Sequence, residues 1–249
     1  MMSELLQVAI EAAEAAGGFL RSNFGRELAV DANEAHDIKI ELDRRTQRLI
    51  ENILLSRYPD HAVLGEEGAA GDPASESEWI VDPIDGTVNF FYGVPHFAVS
   101  IALRVAGEMR VGVIYDPMRD ELWAVDECGP ATLNGRPVHV STRRILGDAI
   151  ISVGVSKSID SIDHGVPLLD RLVRSVKKCR MMGSAALDTA YVSCGRLDAY
   201  IEKQISIWDV AAGKLLVERA GGSVRLTPDP QVPGKFSIVA ASGLIDYGV

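Results

Sequence analysis

Two acidic clusters in this chain each follow a short apolar run, and both contain the residue types that hold hard cations and phosphate. The longer is Trp79-Ile80-Val81-Asp82-Pro83-Ile84-Asp85-Gly86-Thr87-Val88-Asn89-Phe90. Three apolar residues read as a buried strand, and Pro83, which has no N–H to give a ladder, is expected to end it after Asp82. Gly86 permits close approach of backbone to a ligand, and Thr87 is suited to cap a helical turn beginning there. Carboxylates in this arrangement bind hard cations, and free turn amides bind phosphate.

The second cluster is Asp60-His61-Ala62-Val63-Leu64-Gly65-Glu66-Glu67-Gly68, again an apolar run ending in glycine and paired acids. An Asp-rich turn alone needs neither the preceding strand nor this second cluster. Two strands delivering acids at their C-terminal ends form the ligand crevice of a layered sheet protein. Oxygen-only donors, without a nearby cysteine or a histidine pair, favour a hard ion over zinc.

Gly65 to Glu67, Trp79 to Phe90 and the later Trp208-Asp209-Val210-Ala211-Ala212-Gly213 occur in an order and spacing that resemble the inositol monophosphatase family of magnesium-dependent, lithium-sensitive phosphatases. The resemblance spans nearly the whole chain. It implies an α+β fold, a layered αβαβα sandwich of the sugar-phosphatase type, and a homodimer. It also implies roughly two or three Mg²⁺ per site: Glu66, Asp82 and the carbonyl of Ile84 at one, Asp82, Asp85 and Asp209 at a second, Glu66 with waters at a third.

By the same resemblance the reaction is hydrolysis of a small polyol phosphate, myo-inositol monophosphate foremost, by metal-activated water without a covalent intermediate. Glu66, Thr87 and Asp43 form the catalytic group, with Asp43 orienting Thr87 and Thr87 the water. Asp85, Gly86, Thr87, Gly183, Ser184, Ala185, Glu202 and Asp209 face the substrate. Four carboxylates and a phosphate dianion in one cleft total about −6, a charge that requires cations. Read without the resemblance, Asp43 serves equally as a first-turn helix complement, Asp209 as an N-cap, and Gly183 to Ala185 as a turn before a helix. Many relatives carry a lysine five residues before Asp37, where this chain has Ala32.

Several other classes fit less well. Haloacid dehalogenase phosphatases also place Asp-Gly-Thr after an apolar strand, but their nucleophile lies two residues before the second Asp, whereas Asp82 lies three before Asp85. No EF-hand loop is present. A net charge of −10 with no basic stretch argues against nucleic acid as a principal partner. The five histidines are scattered, and Cys128, Cys179 and Cys194 match neither a zinc knuckle nor a disulfide framework. No apolar run approaches the ~20 residues of a membrane span, and Met1 to Glu4 lack a basic leader, so no membrane partner and a cytoplasmic location are expected. Fructose-1,6-bisphosphate, histidinol-phosphate and 3′-phosphoadenosine 5′-phosphate are the alternative substrates, and a non-catalytic regulatory protein retaining the fold is the alternative class.

The 249 residues suit a single compact unit, with an N-terminal α+β half at about 1–145 and a C-terminal α/β half at about 146–249. Helical periodicity marks Ser3 to Phe24 and the segment after Asp43. Phe97 to Val105, Arg110 to Asp116 and Glu121 to Val125 read as a meander, and Asn134-Gly135 as a type I′ hairpin. Beyond Ala149 strands alternate with helices at Val166 to Val176, Ala186 to Cys194 and Val210 to Ala220, and a strand is expected at Leu197 to Ile201.

Overall fold

The computed structural model describes residues 2–26, 30–34, 37–155 and 158–249, with side chains at 30–34, 37–40 and 160 outside the description. Ala32, which stands where many relatives carry a lysine, therefore has its side chain outside the description, as has Asp37, and His36 lies outside the described residues.

Helix α1 (Glu4–Asn23) starts where Ser3 accepts the Leu6 N–H at 3.2 Å, and Gly25 follows its end at φ 74°. A hairpin, β1 (Val30–Glu34) and β2 (Asp37–Ile40), leads into α2 (Glu41–Arg57). Strands β3 (Ala62–Gly65) and β4 (Gly68–Gly71) flank the Glu66-Glu67 turn, and β5 (Ser77–Asp85) runs into a short helix α3 (Thr87–Phe91). The meander follows as β6 (Ala98–Val105), β7 (Glu108–Asp116) and β8 (Glu121–Asp126), then β9 (Thr132–Leu133) and β10 (Arg136–Pro137). Asn134 and Gly135 both have positive φ, as a type I′ turn requires.

The second sheet takes β11 (Ile150–Val153), β12 (Lys178–Arg180), β13 (Ala199–Ser206), β14 (Ser223–Pro228) and β15 (Lys235–Ala241). Its helices are α4 (Ile159–Ser175), α5 (Ala185–Ser193) and α6 (Ile207–Arg219). The strand order is β10-β9-β8-β7-β6-β5-β3-β4 in the first sheet and β12-β11-β13-β15-β14 in the second.

Five layers result. Helices α1 and α2 cover one face of the eight-stranded sheet, α5 and α6 fill the space between the sheets, and α4 covers the far face of the five-stranded sheet. This is the expected αβαβα order. The central strands of each sheet are apolar on both faces because helices cover both; Trp79 and Ile80, adjacent on β5, enter cores on opposite sides of it.

Several element boundaries differ from the sequence reading, among them those of β5, α4 and β13. Strand β5 continues through Pro83, because its register with β6 slips between Asp82 and Asp85 and a bulge frees the proline from the ladder. Helix α4 begins seven residues before Val166, since Ser158 caps it by accepting the Ser161 N–H at 3.0 Å. Strand β13 runs on to Ser206 across another bulge, between Glu202 and Ile205.

The central layer is tight because its helices approach on small residues. A Cβ on Gly112 of β7 would press on the Ala212 backbone of α6, and one on Gly213 would overlap the buried Thr189 side chain of α5. Thr189 has little room to rotate, since its hydroxyl bonds Ala186 O at 2.8 Å and its β-branch restricts χ1. Gly213→Ala is therefore expected to destabilise by about 1–3 kcal/mol despite alanine's better helix propensity, read as a lower urea midpoint at unchanged slope.

Candidate active site

The bulge in β5 determines where its two acids point. Asp82 pairs with Ser100 and Asp85 with Ala98, so three steps on β5 oppose two on β6. In a regular strand, residues three apart face opposite sides; the extra residue puts Asp82 and Asp85 on one side. Asp209 joins them from the first turn of α6, and each of the three offers an oxygen within 4.8 Å of the others.

Fixed donors hold each acid. Asp82 Oδ1 accepts the Ile84 N–H at 2.9 Å. Asp85 reaches the start of α5, where Ser184 Oγ donates to it and the Ala185 and Ala186 N–H groups donate at 3.3 and 2.9 Å. Asp209 Oδ2 accepts the Ser206 N–H at 2.9 Å. Asp209 is therefore the third residue of α6 rather than its N-cap, because the helix starts three residues earlier than its apolar pattern suggests.

Gly86 takes φ 96°, and a Cβ there would press on the carbonyls of Gly183 and His96. Gly86 is the residue preceding α3, so Thr87 is not its cap; the threonine hydroxyl lies 2.9 Å from Ile84 O and 3.4 Å from Asp43 Oδ1. Its single proton serves the nearer carbonyl, and Asp43, almost fully buried, stands as second partner. Glu66 enters from the end of β3, which pairs in parallel with β5 and so lies beside Asp82; its N–H donates to Val81 O at 3.2 Å.

Glu66, Asp82, Asp85, Gly86, Thr87 and Asp209 line a cleft of about 710 Å³; Asp43 is not among its lining residues and bears on it through Thr87. Its far end is built from α5 and β13. Tyr200 donates to Glu202 Oε2, and Gly154 is bare because a Cβ would overlap that carboxylate.

A model of the inositol monophosphatase family matches residues 1–247. The chain belongs to the inositol monophosphatase family. The chain is 40% identical over 231 residues to Nus factor SuhB of Pseudomonas aeruginosa, covering 90% of this chain and 85% of that one. It is also 40% identical over 225 residues to inositol-1-monophosphatase of Rhizobium meliloti, covering 88% and 84%. Extragenic suppressor protein SuhB from Bartonella henselae superposes with a TM-score of 0.91 at 36% identity, covering 97% of this chain and 95% of that structure.

Of the residues that the family resemblance singled out, Glu66, Asp82, Ile84, Asp85, Gly86, Thr87, Gly183, Ser184, Ala185, Glu202 and Asp209 all line the one cleft. Glu66 lies outside the tight trio, although its charge bears on Asp82 and Asp85. Ser184 is buried against Asp85 and accepts the Leu187 N–H at 3.3 Å, so its hydroxyl is committed to the fold. Sequence reasoning missed Asp188, 2% exposed, which accepts from Ser152 Oγ at 2.7 Å and leaves Oδ1 without a hydrogen-bond partner. An aspartate in the first turn of a helix reads as a dipole complement, and nothing else in the local sequence marks it. Among the lining residues are neither cysteine nor histidine, so the donor set is all oxygen and fits a hard divalent cation.

Burial raises Asp85 to about 7, against the opposing pull of Ser184, Ala186 and Ala185, with Glu66 adding to the rise. Burial and the charge of Asp85 raise Asp209 to about 7. Asp82 is pushed well up by burial, then by Glu66, Asp85 and Asp209. Carboxyls raised in the fold above the ordinary value near 4 bind protons more tightly folded than unfolded. Their contribution to stability is present below about 4 and is lost as pH rises toward about 7. A divalent cation binds the ionised forms, so its stabilisation must grow over the same window. The Mg²⁺-induced rise in Tm is expected to be larger at pH 8 than at pH 5.5, measured by thermal denaturation with Mg²⁺ against chelator.

Proposed function

We propose that this chain is a Mg²⁺-dependent phosphomonoesterase acting on a small polyol phosphate, with myo-inositol monophosphate the first candidate. The observation that supports this most is the trio Asp82, Asp85 and Asp209, drawn from both sheets' surroundings into one cleft beside Thr87 and Asp43. In this reading Asp82, Asp85 and Asp209, with Glu66 and the Ile84 carbonyl, hold roughly two or three Mg²⁺. A bound ion would supply compensating charge and acidify coordinated water. Thr87 Oγ orients the attacking water toward phosphorus, and Asp43 accepts the hydrogen bond of the threonine hydroxyl once that hydroxyl turns from Ile84 O. The backbone amides around Gly86 and Thr87 face the phosphate oxygens. Asp85 and Glu202 accept hydrogen bonds from the alcohol's hydroxyls, which suits a polyol.

The relative named Nus factor SuhB supports a second reading, in which the chain serves as a Nus factor alongside catalysis. This chain's net charge of −10 and its lack of a basic stretch argue against a nucleic-acid partner. The described residues contain no helix long and apolar enough to cross a membrane.

Phosphate release from a panel of myo-inositol monophosphate, fructose-1,6-bisphosphate, histidinol-phosphate and 3′-phosphoadenosine 5′-phosphate tests the enzymatic reading. Activity should require Mg²⁺ and fall with Li⁺ at concentrations where Na⁺ has no effect; turnover surviving exhaustive chelation would refute the metal role. Thr87→Ala should lower kcat on the order of 10²-fold while leaving calorimetric Mg²⁺ binding intact. Asp209→Asn keeps an oxygen toward the Ser206 N–H but removes the charge. Mg²⁺ binding and kcat should therefore fall together, with little change in Tm.

A further inference from the structure

Six acids line the cleft, namely Glu66, Asp82, Asp85, Asp188, Glu202 and Asp209, and among the described residues a single cation, Lys235, lines it with them. Two divalent ions bring about four positive charges, and a phosphate monoester arrives with about two negative ones. The field at the entrance therefore stays hostile to an anion unless a positive group stands where phosphate arrives.

Lys235 is brought into the cleft by the shape of β13. The register between β13 and β15 slips from Glu202 to Ile205, and Gln204 takes φ 60°, a conformation uncommon for a residue with a Cβ. Beyond the bulge Ser206 stands directly opposite Lys235. Opposed residues of an antiparallel pair project from the same face, and Lys235 Nζ donates to Ser206 Oγ at 2.6 Å. The N–H of that serine is the donor fixing Asp209. An ammonium has three N–H groups; one is on Ser206, and the other two meet no hydrogen-bond acceptor among the described residues.

We propose that Lys235 is the anion-receiving group of this cleft: its ammonium, tethered by Ser206 beside Asp209, takes an oxygen of the incoming phosphate ester. The inference rests on the phosphomonoesterase reading. A lysine that served only as a tether would support Ser206 and Asp209 and make no contact with the substrate. A lysine that receives the anion does both, and its like charge beside Asp209 works against the metal ion.

The two roles separate in Lys235→Met and Lys235→Arg. Calorimetric titration of Mg²⁺-loaded protein with inorganic phosphate should show binding about tenfold weaker in Lys235→Met, the loss of one charge-assisted hydrogen bond, and near wild-type in Lys235→Arg. The KM for the best ester should rise by a similar factor with a smaller change in kcat, and kcat/KM should depend less steeply on ionic strength. Mg²⁺ titration without phosphate should show binding about threefold tighter in Lys235→Met, because a like charge has gone. Matched melting temperatures show that both variants fold. Unchanged phosphate affinity and salt dependence in Lys235→Met, beside an active wild type, would overturn the inference alone. Weaker Mg²⁺ binding in that variant would reduce Lys235 to the tether and likewise overturn it. A wild type that hydrolyses no ester in the panel and binds no phosphate with Mg²⁺ would overturn both readings.

Discussion

Mutual repulsion among buried carboxylates is the constraint around which this molecule is built. Two charges about 4 Å apart repel by roughly 4 kcal/mol at the effective dielectric of a protein near its surface, and here three acids stand within 4.8 Å of one another. They persist because each is bonded to a donor the backbone cannot easily move. Asp82 is held by its own strand, Asp209 by the start of its own helix, and Asp85 by the first turn of a helix about a hundred residues away. The last of these ties the first sheet to the layer between the sheets, so the acid that crowds its neighbours also joins two parts of the fold.

That middle layer explains the composition of the segments around it. Helices α5 and α6 are almost wholly buried and lack a strong polar face, since both sides meet a sheet. Runs such as Ala185-Ala186 and Val210-Ala211-Ala212-Gly213 keep side chains short where α6 crosses β7 and α5. Both helices direct their N-terminal turns at the cleft, where N–H groups without intrahelical partners donate to Asp85 and Asp209 and the helix dipole favours negative charge. The same close packing that anchors the core also delivers positive potential to a site crowded with acids.

Much of this was legible from residue order. The Gly65 to Glu67 and Trp79 to Phe90 clusters are local, and their acid spacing identifies them without a fold. What the sequence concealed was conformational. Pro83 reads as a strand terminator, because proline in a ladder is normally excluded; only the pairing partner β6 reveals that a bulge accommodates it. Asp209 reads as a cap, because Ile207 and Trp208 could equally end a strand or begin a helix. Asp188 and Lys235 were invisible for another reason: their significance lies in what faces them across the cleft, and neither lies in a motif. The bulge in β13 likewise carries no glycine to announce it, since Gln204 takes the left-handed conformation itself.

The irregularity in β5 also affects which evolutionary changes this chain can absorb. Most positions in a strand tolerate exchange of one side chain for another more readily than insertion or deletion, because the pleat alternates faces. Between Asp82 and Asp85 that preference is extreme. Removing one residue would restore a regular ladder, and the loss of the bulge would re-aim Asp85 away from α5. The segment is thus governed by its residue count as strictly as by its residue types, and the frame of the pleat itself acts as a component of the chemistry.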